Sequence, residues 1–209
     1  MSMNNIFRLL ILLPVFVLGC SPNIVKENKV TQQIDSLDMN IFSKRGDKIY
    51  SITSSSSTYD NNELKFGFKK PTINIFNGEV TKYIITSDES TLSENNKLLK
   101  LKGNVKLKTL TEDEDYLYAD NFIWNIEENK YHLEGNIKFK NKNIILNSGK
   151  AKLGENNIIE FFNPVKYIIK DDNNENKFEI KSENAYYNLE TESISFKGND
   201  KRVRSIIYF

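Results

Sequence analysis

Apolar and polar residues alternate one for one along several stretches of this chain. Leu99-Lys100-Leu101-Lys102-Gly103-Asn104-Val105-Lys106-Leu107 does so without a break, and Tyr131-His132-Leu133-Glu134-Gly135-Asn136-Ile137-Lys138-Phe139 repeats the pattern. Ile194-Ser195-Phe196-Lys197-Gly198-Asn199 is a shorter copy, and Phe161-Phe162-Asn163-Pro164-Val165-Lys166-Tyr167 a variant. Period two over such lengths predicts β-strands with one dry and one wet face. The dry face takes Leu99, Leu101, Val105, Leu107, Leu133, Ile137, Phe139, Phe161, Val165 and Phe196. The wet face takes Lys100, Lys102, Lys106, Lys138 and His132. Gly103, Gly135 and Gly198 fall in phase with the dry side, where a glycine marks a bend or a close backbone approach. A strand bent at the same place in each copy predicts a sheet folded into a trough.

Each alternating stretch closes a larger unit. Five openings share one layout, an aromatic or aliphatic residue, an apolar residue two further on, then a small polar one. They are Tyr50-Ser51-Ile52-Thr53-Ser54, Tyr83-Ile84-Ile85-Thr86-Ser87, Tyr116-Leu117-Tyr118-Ala119-Asp120, Ile144-Ile145-Leu146-Asn147-Ser148 and Phe178-Glu179-Ile180-Lys181-Ser182. A second apolar anchor follows in each, at Tyr59, Leu92, Trp124, Leu153 and Tyr187, and then a turn rich in Asn and Glu. Asparagine tolerates left-handed backbone, which suits hairpin turns. No segment after the first 20 residues carries a 3.6-residue apolar period with caps. Units of this size cannot bury their own dry faces and must stack on each other. The reading is one elongated, antiparallel, all-β domain over residues 41–209.

The beginning of the chain differs. Arg8 precedes the apolar run Ile11-Leu12-Leu13-Pro14-Val15-Phe16-Val17-Leu18-Gly19, which ends at Cys20, the single cysteine among 209 residues. The run is too short to span a bilayer comfortably, and a small residue directly before a cysteine matches a bacterial lipoprotein signal. Residues 1–19 are expected as a cleaved signal peptide, Cys20 as the lipidation site, and residues 20–40 as a lipid-anchored tether. This places the mature chain outside the cytoplasm, on the periplasmic face of a membrane.

Charge and chemistry narrow the function by exclusion. Net charge is +1, so no broad basic surface for nucleic acid is expected. His132 is the sole histidine and is flanked by dry-phase Tyr131 and Leu133, so it faces water and anchors neither a hydrolytic triad nor a metal site. Asp113, Glu114 and Asp115 form an acidic loop without the spacing of a calcium site. Ser54 to Ser57 have no base beside them. No catalytic residue, cofactor or metal is expected.

The stretch Met39 to Phe76, with Gly46 in a turn and Pro71 before an apolar strand, resembles the start of LptC, the membrane-anchored periplasmic component of lipopolysaccharide export. Leu101-Lys102-Gly103-Asn104-Val105 and Leu133-Glu134-Gly135-Asn136-Ile137 are similar to the OstA-like repeats of that family. The resemblance covers residues 37–209 and implies a twisted, open β-jellyroll without catalysis. It implies lipopolysaccharide as cargo, an inner-membrane export ABC transporter on one side and an LptA-like periplasmic bridge protein on the other. Typical relatives carry an uncleaved anchor helix, and here a lipobox stands in its place. An apolar groove would hold acyl chains at roughly 0.8 kcal/mol per methylene without directional demands. The other reading from the residues is a structural or scaffold lipoprotein of the envelope with a closed core. Finally, Val203, Ser205, Ile206, Ile207, Tyr208 and Phe209 read as a terminal strand whose open edge invites a partner sheet.

Overall fold

The computed structural model describes residues 31–93, 95–110, 115–154 and 156–208. The expected signal peptide, residues 1–19, and Cys20 lie outside the described residues. Among the described residues fourteen strands form one antiparallel sheet: β1 (Thr31–Phe42), β2 (Lys48–Asp60), β3 (Lys65–Lys69), β4 (Thr72–Asn77), β5 (Val80–Thr86), β6 (Glu89–Ser93), β7 (Leu98–Thr109), β8 (Tyr116–Asn125), β9 (Lys130–Asn141), β10 (Ile144–Leu153), β11 (Ile158–Lys170), β12 (Asn176–Asn188), β13 (Ile194–Lys197) and β14 (Arg204–Ile207). From β7 to β12 each strand pairs with the next, as a chain of hairpins requires.

Every long strand changes direction in its middle. The first part of β2 pairs with β4 and its second part with β3, while β7 divides itself between β6 and β5. β12 does the same with β14 and β13. The sheet therefore has two arms joined by a spine of corners. The first arm holds β4, β5, β14 and the strand halves beside them; the second holds β3, β6, β13 and the other halves. The arms fold face to face. Tyr50 on β2 and Trp124 on β8 are several strands apart within the sheet, yet their rings lie 5.2 Å apart.

The corners explain two sequence features at once. On outgoing strands the small polar residue bridges the bend: Ser54, Ser87, Ser148 and Ser182 each donate a hydroxyl hydrogen bond to the carbonyl two residues on, at 2.8, 2.9, 3.0 and 2.8 Å. On return strands Gly-Asn makes the bend. Gly103 and Asn104 adopt φ of 77° and 46°, Gly135 and Asn136 of 78° and 45°, and the ladder slips register there. Asn104 donates its amide to Asp88 at 2.8 Å, and Asn136 donates to Asp120 at 2.8 Å. A Cβ on Gly103 would sit 2.5 Å from the Asp88 carboxylate, so the left-handed backbone and this contact both require glycine. The corner also displaces the glycines from the simple dry phase expected for them.

Two boundaries differ from expectation. Among the described residues, strand already runs from Thr31, inside the stretch expected as tether, because Leu37, Met39 and Ile41 alternate onto the core once Ser36 (φ 54°) resets the phase. The third unit opens one residue early. Leu117 and Ala119 point inward and Tyr116 and Tyr118 outward, so Asp115, not Tyr116, takes the position of Tyr50 and Tyr83. The five second anchors, by contrast, fall in one cross-strand row with their return-strand neighbours: Tyr59, Phe66, Leu92, Leu99, Trp124, Tyr131, Leu153, Ile159, Tyr187 and Ile194.

Candidate functional site: the interior between the arms

All ten dry-face positions read from the sequence point between the arms. Leu99, Leu101, Val105, Leu107, Leu133, Ile137, Phe139, Phe161 and Val165 are buried, and Phe196 is partly buried against the same cluster. Lys100, Lys102 and Lys138 are exposed, while Lys106 and His132 are half-buried on the outer face. His132 lies across from Ile123 and Lys152. The acidic loop is less simple than expected. Asp115 is buried, and its Oδ1 accepts a 2.5 Å hydrogen bond from the Asn141 amide, which also reaches the Tyr187 hydroxyl of the opposite arm at 3.3 Å. Asp113 and Glu114 lie outside the described residues.

The expected open groove is not a cavity in this structure. Aromatic side chains from the two arms span the gap. Phe139 meets Tyr187 at 4.8 Å and Phe161 at 6.1 Å, and Tyr167 meets Phe196 at 5.2 Å. Between Tyr83, Leu107, Asp115, Phe139, Ile159 and Leu189 lies a void of about 20 Å³. A depression of about 750 Å³ lies on the outer face of the second arm, where Gly67 supplies no side chain. The alternation fixes which residues face inward; how far apart the arms stand depends on side chains far apart in sequence.

One end of this interior is polar without being satisfied. The Tyr50 hydroxyl, Ser57 Oγ, Ser90 Oγ and Trp124 Nε1 are buried and make no hydrogen bond. Burial raises the Tyr50 and Tyr131 phenols far above their usual range, so both stay neutral donors. Unpaired buried donors are uncommon because each forfeits its bond to water, at about 1–3 kcal/mol. At the other end the polar groups are paired, as Asn141 with Asp115 shows.

The C-terminal edge stays exposed. β14 pairs with β12 through Arg204 to Ile207, and Tyr208 donates its backbone N–H to the Lys177 carbonyl. Val203, Ile206, Ile207 and Tyr208 are 43%, 43%, 59% and 44% exposed, and Ser205 is exposed too. No strand among the described residues pairs with the outer side of β14. Phe209 lies outside the described residues. Among them, no group of three or more His, Cys, Asp or Glu side chains is placed to hold a metal ion.

A folded antiparallel sheet with an apolar interior and free terminal edges defines a β-jellyroll. The family model for lipopolysaccharide-assembly, LptC-related proteins matches residues 9–155, and the chain belongs to that family. Its members are non-catalytic periplasmic proteins of lipopolysaccharide transport that bind lipopolysaccharide and other Lpt components in a transport bridge. Among solved structures, the chain is similar to LptH, the LptA-homologous periplasmic component of the conserved lipopolysaccharide transport device from Pseudomonas aeruginosa. That match has a TM-score of 0.44 at 9% identity and covers 76% of this chain and 94% of that one. No curated protein sequence matches the chain.

Proposed function

We propose that this protein is a lipid-anchored carrier that receives lipopolysaccharide from the inner-membrane export ABC transporter and passes it through the space between the arms to an LptA-like bridge protein. Cys20 would carry the anchor on the periplasmic face of the inner membrane. The ten inward residues Leu99 to Phe196 would contact acyl chains, and the edge from Val203 to Phe209 would meet the next jellyroll.

The observation that carries this reading is the interior itself. Its apolar rows cross the sheet from β2 to β13, and at the β2 end they hold four buried polar atoms without partners. A pure scaffold gains nothing from orphaned donors in its core. Ester and hydroxyl groups near the head of an acylated cargo would satisfy them. The arms must part to admit a chain, exchanging side-chain contacts for contacts with methylenes worth about 0.8 kcal/mol each. The filled interior favours the alternative of a closed-core scaffold, and one experiment separates the two. Photo-reactive residues placed at Leu101, Ile137 and Phe161 in cells should crosslink lipopolysaccharide, while the same residue at Lys102 should not. Mass spectrometry of the extracted protein should find a lipidated N-terminal Cys20. Absence of lipid adducts at every inward position would leave the scaffold, and an intact leader would remove the anchor.

A further inference from the structure

The near-neutral net charge conceals a segregated surface. Cross-strand partners on the outer face of the first arm run Lys106, Tyr118, Lys138, Asn147, Lys166, Lys181, Arg204 from β7 to β14. This row carries five cations and no carboxylate. At about 4.8 Å per strand it is about 29 Å long. In the adjoining row Lys108 and Lys140 add two cations, and Glu179 is the single carboxylate. Glu179 lies beneath Lys166 and Lys181 at 3.0 and 3.1 Å, its carboxyl held below its ordinary range chiefly by the Lys166 hydrogen bond.

The second arm is built the other way. On its outer face Lys69 pairs with Glu89, and Lys150 with Glu134 at 3.0 Å. The contrast matters because like charges directly opposite across a ladder destabilise a sheet. Lys166 opposes Lys181, and Lys181 opposes Arg204, in the same register as neutral or oppositely charged pairs elsewhere. The row also carries an aromatic platform, with the Lys106 ammonium 4.6 Å from the Tyr116 ring centroid and 6.0 Å from Tyr118. Exposed Ile206 stands at the β14 end of the adjoining row, opposite Glu179.

We infer that the outer face of the first arm docks on an anionic phospholipid bilayer. A row of cations about 29 Å long, flanked by tyrosines and one exposed isoleucine, offers separate charges to many phosphates along its length, whereas a compact anion would need converging donors. Each lysine or arginine near such a surface strengthens association about fivefold, and the attraction falls within a screening length. Docking lays the domain on its first arm, brings the β14 edge to membrane level and leaves the second arm toward water.

The test uses the full chain with neutral phosphatidylcholine vesicles and with vesicles containing phosphatidylglycerol, and reads lysine acylation by mass spectrometry. Flotation with the neutral vesicles reports the anchor separately from docking. On the anionic vesicles Lys138, Lys166 and Lys181 should become protected while Lys69, Lys102 and Lys150 stay reactive. Protection should vanish at about 1 M salt, where the screening length is about 3 Å. The double variant K138Q/R204Q removes two of the five cations at exposed sites. It should keep its thermal melt and shift docking about 25-fold toward the free state. Equal labelling of both arms, equal labelling on both vesicles, or full docking by the double variant overturns the proposal. So does a failure to associate with anionic vesicles at all.

Discussion

Leu101→Asp is expected to unfold the domain. Leu101 is 2% exposed, on the inner face of β7 between Ser90 of β6 and Phe122 of β8. A carboxylate there leaves water for apolar neighbours and finds at most the Ser90 hydroxyl as a donor. An unpaired buried charge of this kind costs several kcal/mol, against a typical total stability of about 5–15 kcal/mol. Half of that total removed would move most molecules out of the native state at moderate denaturant. The control is His132→Asp, one arm segment away on the wet face, where the new carboxylate faces Lys152 across the ladder. Its effect should stay within about 0.5 kcal/mol. Urea unfolding followed by circular dichroism reads both. Equal loss at the two sites would mean that the inner and outer phases of the sheet are reversed.

Deleting residues 203–209 is expected to leave a folded, lipid-binding domain that no longer captures its partner. β14 contributes little burial, since all four of its residues are exposed. Its loss removes four ladder pairs with β12 and uncovers Phe178 to Lys181, leaving the core cluster intact. What disappears is the outer edge, with its unpaired backbone groups and the apolar Ile206, Ile207 and Tyr208. An open edge joins sheets by continuing their ladders, a heterologous contact that repeats end to end. In a pull-down with the LptA-like protein the truncated chain should lose capture while its melting temperature and lipid crosslinks persist. Normal capture would move the junction to another edge, with β1 the next candidate.

Much of this fold is written in local alternation. The return strands Leu99–Leu107 and Tyr131–Phe139 lie where period two puts them, with their inward residues buried. The Ser and Gly-Asn positions that recur in the sequence prove to be one physical device, the corner. Other features were hidden for identifiable reasons. β1 is mostly polar and reaches the core only through Leu37, Met39 and Ile41. The break between β3 and β4 falls at Lys70-Pro71, where proline removes a ladder donor, and β5 and β6 part at Ser87-Asp88. Tyr116 looks like Tyr50 and Tyr83 in the string but sits one residue out of phase. The distance between arms and the basic row lie beyond any one strand. Both depend on register across seven strands, and a net charge of +1 says nothing about which face holds the lysines.

The corner has a consequence for size. Asp88 and Asp120, Gly103 and Gly135, Asn104 and Asn136 are each separated by the length of one hairpin, and each hairpin brings its own hinge. Adding or removing a hairpin therefore changes the span of the interior by two strand widths, about 9.6 Å, and leaves its cross-section alone. The chain measures distance in whole hairpins, so the reach of the interior is a count before it is a length.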